Sequence, residues 1–122
     1  MADLHDSLVV SHRKRIIRGG FKEVKSPMPT YRPDIFAQKT TRYGKIREQI
    51  AVEVEIESTL FAEHTTLQLL DLNDLIEFQK ARGIKVRGYL LVPSGRQVQV
   101  QASALLLSLF PKRNVIKLLQ TV

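Results

Sequence analysis

The chain contains no cysteine and no tryptophan, and aromatic residues make up only 7% of it. Without thiols there are neither disulfides nor thiolate metal ligands, so any metal must be held by oxygen or imidazole, which favours a hard cation. The scarcity of aromatics argues against a platform that stacks successive bases of a single strand, as RNA-binding modules use. No apolar run approaches the roughly 20 residues that span a bilayer, and the amino terminus lacks the apolar core of a signal peptide. The expected setting is therefore cytoplasmic, without membrane association.

What is present is charge, unevenly placed. The 122 residues are 43% hydrophobic and 25% charged, which suits one globular domain with a modest core. The net charge is +7 and the pI about 10.0. From His12 to Arg47 there are eleven Lys or Arg against two acids, Glu23 and Asp34, a local net of +9. From Glu48 to Gln79 there are eight acids and no Lys or Arg. A basic segment of this density points to a polyanion, because phosphate neutralisation gives salt-dependent, sequence-independent affinity. The competing reading is a basic surface with no dedicated partner. Arg13, Lys14, Arg15, Arg18, Lys25, Arg32, Lys39, Arg42 and Lys45 are the expected contacts to a nucleic-acid backbone.

Periodicity divides the chain into alternating elements. Leu4, Leu8, Val9, His12, Ile16 and Ile17 recur at helical spacing, and Gly19 and Gly20 supply a stop. "FKEVKS" (21–26) reads as a strand ended by Pro27 and Pro29, and "YRPDIFAQ" (31–38) as a second. "KTTRYGK" (39–45) is a turn, so "IREQIAVEVEIE" (46–57) returns as the third strand of a meander. A helix is expected over 65–82, a buried strand over 84–93, a helix over about 97–110 and a last edge strand or dimer contact in "NVIKLLQTV". A helix between strands requires a crossover and parallel pairing. The expected fold class is α/β, with a mixed four- to five-stranded sheet flanked by helices.

"IAVEVEIEST" (50–59) carries the chemistry. Alternation puts Ile50, Val52, Val54 and Ile56 on one face of a strand and Glu53, Glu55 and Glu57 on the other. Such a row can solvate the wet face of an edge strand. It can also be a cation site, because the meander brings Asp34 alongside Glu53 and Glu55, and clustered carboxylates need compensating charge. Oxygen-only ligation of this kind is how Mg²⁺ or Mn²⁺ is held.

The order helix, strand, "RPDIFA", turn, "IAVEVEIE", helix, "GYLLVP" resembles the PD-(D/E)xK nuclease superfamily, including its Holliday-junction-resolvase-like and Mrr-like members, over roughly residues 4–110. The resemblance implies a restriction-endonuclease-like αβββαβ core and a metal-dependent DNA endonuclease. Pro33-Asp34 matches the "PD" and Glu53-Val54-Glu55 the "(D/E)xK". It implies Asp34, Glu53 and the Val54 carbonyl as metal ligands, with Asp6 of the first helix as a further ligand and Gln68 as the polar helix residue facing the site. The motif lysine is replaced by Glu55, which can accept a proton or bind metal but supplies no positive charge. Lys25 is the candidate substitute, and an ordinary phosphate contact is its other reading; Lys39 falls on the opposite strand face. Cutting both strands of a duplex requires two sites, so a homodimer is expected. The alternative is a DNA-binding protein that keeps the fold without catalysis.

Overall fold

The computed structural model describes residues 3–112 and 115–121. Helix α1 (Leu4–Arg18) begins where the Asp3 side chain accepts a hydrogen bond from the Asp6 amide at 2.8 Å and ends at Gly19, with Arg15 and Arg18 in its last turn. Acceptor first and cations last suit the helix dipole. Three antiparallel strands follow, β1 (Lys22–Glu23), β2 (Ile35–Thr40) and β3 (Ile46–Val54). The β2–β3 turn is closed by the Thr41 amide donating to the Lys45 carbonyl at 2.8 Å, and Gly44 holds the positive φ of +81° that the turn requires.

Helix α2 (Glu63–Ala81) then crosses over to β4 (Val86–Val92), and α3 (Arg96–Leu109) crosses to β5 (Ile116–Gln120). Both crossovers give parallel pairs, so the five strands lie in chain order, antiparallel on one side of β3 and parallel on the other. Asn114 and Val122, at the ends of the expected last strand, lie outside the described residues; β5 itself is the edge that the sequence predicts. The chain is thus α/β with a five-stranded mixed sheet and three helices.

Each sheet face has its own core. Val9 and Ile16 of α1 cover Ile35, Ala37, Val52, Val54 and Leu91. On the other face Leu69, Leu72, Leu75 and Ile76 of α2, with Val98, Ala102 and Leu105 of α3, cover Phe36, Ala51, Leu90, Val92 and Ile116. Burial on α2 at 65, 69, 72, 75, 76 and 79 is the stripe of a helix lying on a sheet. No helix among the described residues is long and apolar enough to cross a membrane.

Several expected boundaries are corrected. The first strand pairs over two residues rather than 21–26, because Ser26 turns the chain by accepting the Met28 amide. The second begins at Ile35, leaving Tyr31 to Asp34 ahead of it. The third stops at Val54, so Glu57 lies in a 3₁₀ turn (Glu57–Thr59) and the expected row of three carboxylates is broken after Glu55. Since β3 is central and covered on both faces, Glu53 is only 1% exposed and Glu55 3%, which removes the solvated-face reading for both.

Gly88 on β4 is a close approach: a Cβ there would come within 2.6 Å of Ile76 Cδ1 on α2. Gly88→Ala is expected to cost about 1 kcal/mol in denaturant unfolding, the low end for overpacking because the atom met is the tip of a side chain. Combining it with Ile76→Val, which deletes that methyl, should recover part of the loss in a double-mutant cycle; a neutral Gly88→Ala would contradict the packing.

Candidate functional site

At the end of β3 farthest from the β2–β3 turn, two backbone segments are clasped by each other's acids. The Asp34 amide donates to Glu53 Oε1 at 2.8 Å, and the Val54 amide donates to Asp34 Oδ2 at 2.8 Å. Proline at 33 cannot donate, so Asp34 supplies the first free N–H after it. The sequence thus brings Asp34 and Glu53 together as expected. Val54 enters the site through its amide, whereas its carbonyl is what the resemblance implies.

Glu53 is enclosed. Its Oε2 and the hydroxyl of Tyr31 are buried side-chain atoms without a hydrogen-bond partner among the described residues. The two groups are nonetheless close enough for the Tyr31 hydroxyl to favour the Glu53 anion and oppose part of its pKa rise, although the contact falls short of strict hydrogen-bond geometry. Burial, and then the charge of Asp34, push the Glu53 carboxyl from its ordinary value near 4.5 up to about 8, with Glu55 adding to the rise. Burial beside the same acids raises the Tyr31 hydroxyl, which stays protonated.

Glu55 is committed elsewhere. The Thr59 hydroxyl donates to its Oε2 at 2.6 Å, and the Thr65 hydroxyl of α2 donates to the Thr59 carbonyl at 2.7 Å. Among the described residues, the group of three acid or histidine side chains whose ligand atoms lie within 4.8 Å of one another is Asp3, His5 and Asp6, not Asp34, Glu53 and Glu55. The row of carboxylates is therefore not a preformed three-acid cage. The donor set does fit a hard divalent cation at Asp34 and Glu53: two acids with one orphaned buried oxygen, whose excess negative charge such an ion would offset.

Helix α1 reaches the site through His5 rather than Asp6. His5 Nε2 lies 3.3 Å from Asp34 Oδ2 while its Nδ1 lies 3.3 Å from Asp6 Oδ1, so Asp6, itself exposed, touches the site only through the imidazole. Burial opposes the charge on His5, but Asp6 and Asp34 outweigh it and raise its pKa. Gln68 is half-buried and makes no hydrogen bond among the described residues. The glutamine of α2 that reaches the sheet is Gln79, which donates to Gln49 Oε1 at 2.7 Å, while Gln49 donates to Gln38 at 2.9 Å. Gln38 and Gln49 are cross-strand partners at the other end of the sheet face that carries Glu53.

The basic residues divide into two groups. Arg13, Lys25 and Arg32 line a cleft of about 680 Å³ that also contains Asp34. Arg13 Nε donates to Glu23 Oε1 at 2.7 Å and its Nη2 to the Asp34 carbonyl at 3.5 Å. Lys25 is exposed, and no hydrogen bond or ion pair ties it to Glu53 or to any other described residue. Lys14, Arg15 and Arg18 are exposed along α1. Arg42 and Lys45 belong to the β2–β3 turn, six residues of β2 and so about 20 Å from Asp34. Lys39 packs its ammonium 4.7 Å from the centre of the Phe21 ring, and Arg42 lies over Tyr43.

Tyr31, Thr59 and Thr65 belong to the site without having been read from the sequence. The available signals were "YRPD" for Tyr31, two residues from the proline, and a hydroxyl four residues after Glu55 in "EIEST".

No family model matches the chain, and no curated protein or solved structure is detectably similar to it.

Raising the Glu53 pKa means that the folded state keeps a proton that the unfolded state releases from about pH 4.5 upward, so stability falls as pH rises toward 8. His5 contributes in the same direction, which makes comparison with a variant necessary. In chelator, Glu53→Gln is expected to match wild type near pH 5 and to exceed it by about 1–3 kcal/mol at pH 9 in denaturant unfolding. A difference independent of pH would contradict a protonated Glu53.

Proposed function

We propose that the protein hydrolyses phosphodiester bonds in DNA with a divalent cation held by Asp34 and Glu53. The observation that carries this reading is the buried Oε2 of Glu53 behind Asp34, the acid that itself lines a cleft with Arg13, Lys25 and Arg32. A carboxyl raised to about 8 is unfavourable as an anion unless a cation joins it, and perturbed acids of this kind concentrate at functional sites. Mg²⁺ or Mn²⁺, when bound, supplies Lewis acidity and a more acidic water. The chain's own residues do the rest. Arg13, anchored on Glu23 and on the Asp34 carbonyl, presents positive charge beside the acids and stands where it can offset the lysine that the motif lacks. Glu55, fixed by Thr59, is a positioned acceptor for a proton. The cations of α1 and of the β2–β3 turn are the contacts that hold a duplex backbone.

The reading of a restriction-endonuclease-like core draws on the antiparallel β1–β2–β3 meander followed by a helical crossover to the parallel β4, with "PD" ahead of β2 and "ExE" at the end of β3. A second reading, DNA binding without cleavage, draws on the engagement of Glu55 by Thr59 and on the absence of a compact three-acid group at Glu53.

The test is cleavage of supercoiled plasmid and of a four-way junction with Mg²⁺, with Mn²⁺ and with chelator. Asp34→Ala is expected to lose more than the roughly 10–100-fold that removal of a supporting contact costs, while still binding DNA. Arg13→Lys should retain more activity than Arg13→Ala. Binding without cutting under every metal condition would favour the second reading.

A further inference from the structure

The cleft beside Asp34 has more shape than backbone recognition needs. Duplex phosphates lie on a convex outer surface and can be met by long side chains from an open face. This cleft instead has a concavity of about 680 Å³, within the range of roughly 300–1,000 Å³ typical of small-ligand sites. Val24, Met28 and Pro29 make an apolar patch of its wall over Phe36, which is only 5% exposed, and charged side chains of both signs stand around that patch. Arg13 is occupied by Glu23, whereas Lys25 and Arg32 have no hydrogen-bond or ionic partner among the described residues.

An apolar patch with two free cations, a second acid neutralised by Arg13, and Asp34 in the lining matches a nucleotide whose base has left the stack. The base would pack on Met28 and Pro29, its phosphate would meet Lys25 and Arg32, and the adjoining phosphodiester would lie toward Asp34. Taking a base from an intact duplex is costly, and the cost is least where the base is already unpaired. We infer that the cleft is a pocket for an unpaired nucleotide, and that the DNA recognised is a duplex interrupted by one. This deepens the proposed function and rests on its DNA-binding part, not on cleavage.

The experiment is fluorescence anisotropy in chelator, comparing the full chain's affinity for a short perfect duplex and for the same duplex with a single-nucleotide bulge. Wild type is expected to bind the bulged duplex about tenfold more tightly, the scale of one base packed on a side chain. Met28→Glu, which puts an acid on the apolar wall, should bring the ratio toward one. The exposed pair Lys25→Ser and Arg32→Ser provides a second variant that leaves the core untouched, and it should lower bulge affinity more than duplex affinity. Equal affinity of wild type for the two duplexes, or a ratio that neither variant changes, would overturn the pocket. Preference for the bulge with no cutting in Mg²⁺ would sink the hydrolytic reading and leave the pocket standing. Cutting without any preference would do the reverse.

Discussion

The clasp between Asp34 and the end of β3 sets the rest of the site. Two acids that should repel are held together by backbone amides, the Asp34 N–H on Glu53 and the Val54 N–H on Asp34, each at 2.8 Å. The bond to the Asp34 carboxylate is charge-assisted, and a proton kept on Glu53 up to about pH 8 relieves the repulsion between the two acids. The arrangement pins the start of β2 against the end of β3, and with it the polypeptide that carries Tyr31 over Glu53. The raised pKa of Glu53 follows from the same geometry, because burial comes first and the Asp34 charge second, and the single amide bond to Oε1 and the nearby Tyr31 hydroxyl only partly offset them.

Around that clasp the charges are ordered by distance. His5, whose pKa the neighbouring acids raise, lies 3.3 Å from Asp34, and Arg13 follows about two turns further along α1. Beyond them Lys14, Arg15 and Arg18 continue along the helix toward the β2–β3 turn with Arg42 and Lys45. The acid-rich stretch from Glu48 to Gln79 noted in the sequence therefore does not form one acidic surface. Glu53 and Glu55 go inside, Glu48 meets Arg87 at 3.6 Å, and Glu57 and Glu63 remain exposed.

How far the sequence could be read depended on the range of the interaction. Local signals worked: the stop at Gly19, the turn at Gly44, the stripe of α2 and the alternation of Ile50, Val52 and Val54 all correspond to observed elements. The pairing of Asp34 with Glu53 was legible because strand register follows from a short hairpin. Period two identifies a second face but not what covers it, so the burial of Glu53 beneath the α2 face could not be read from its neighbours in sequence. The helix contacts were missed for a related reason. His5 and Asp6 differ by about 100° around α1, and Gln68 and Gln79 by three turns along α2, so the residue that meets the sheet depends on docking and not on spacing. The shortness of β1 depended on a local side-chain turn at Ser26 competing with the ladder.

The proposed metal site requires the buried Glu53 carboxyl to exchange a proton for a cation. Calorimetric titration with Mn²⁺ in buffers of different ionisation enthalpy counts the protons released on binding. Near pH 6, below the value of about 8 for Glu53 and with the His5 pKa raised beside Asp34, wild type is predicted to release at least about one proton per Mn²⁺ bound, and Glu53→Gln to release fewer and to bind far more weakly. Mn²⁺ binding with no proton release, or equally tight binding by Glu53→Gln, would contradict it.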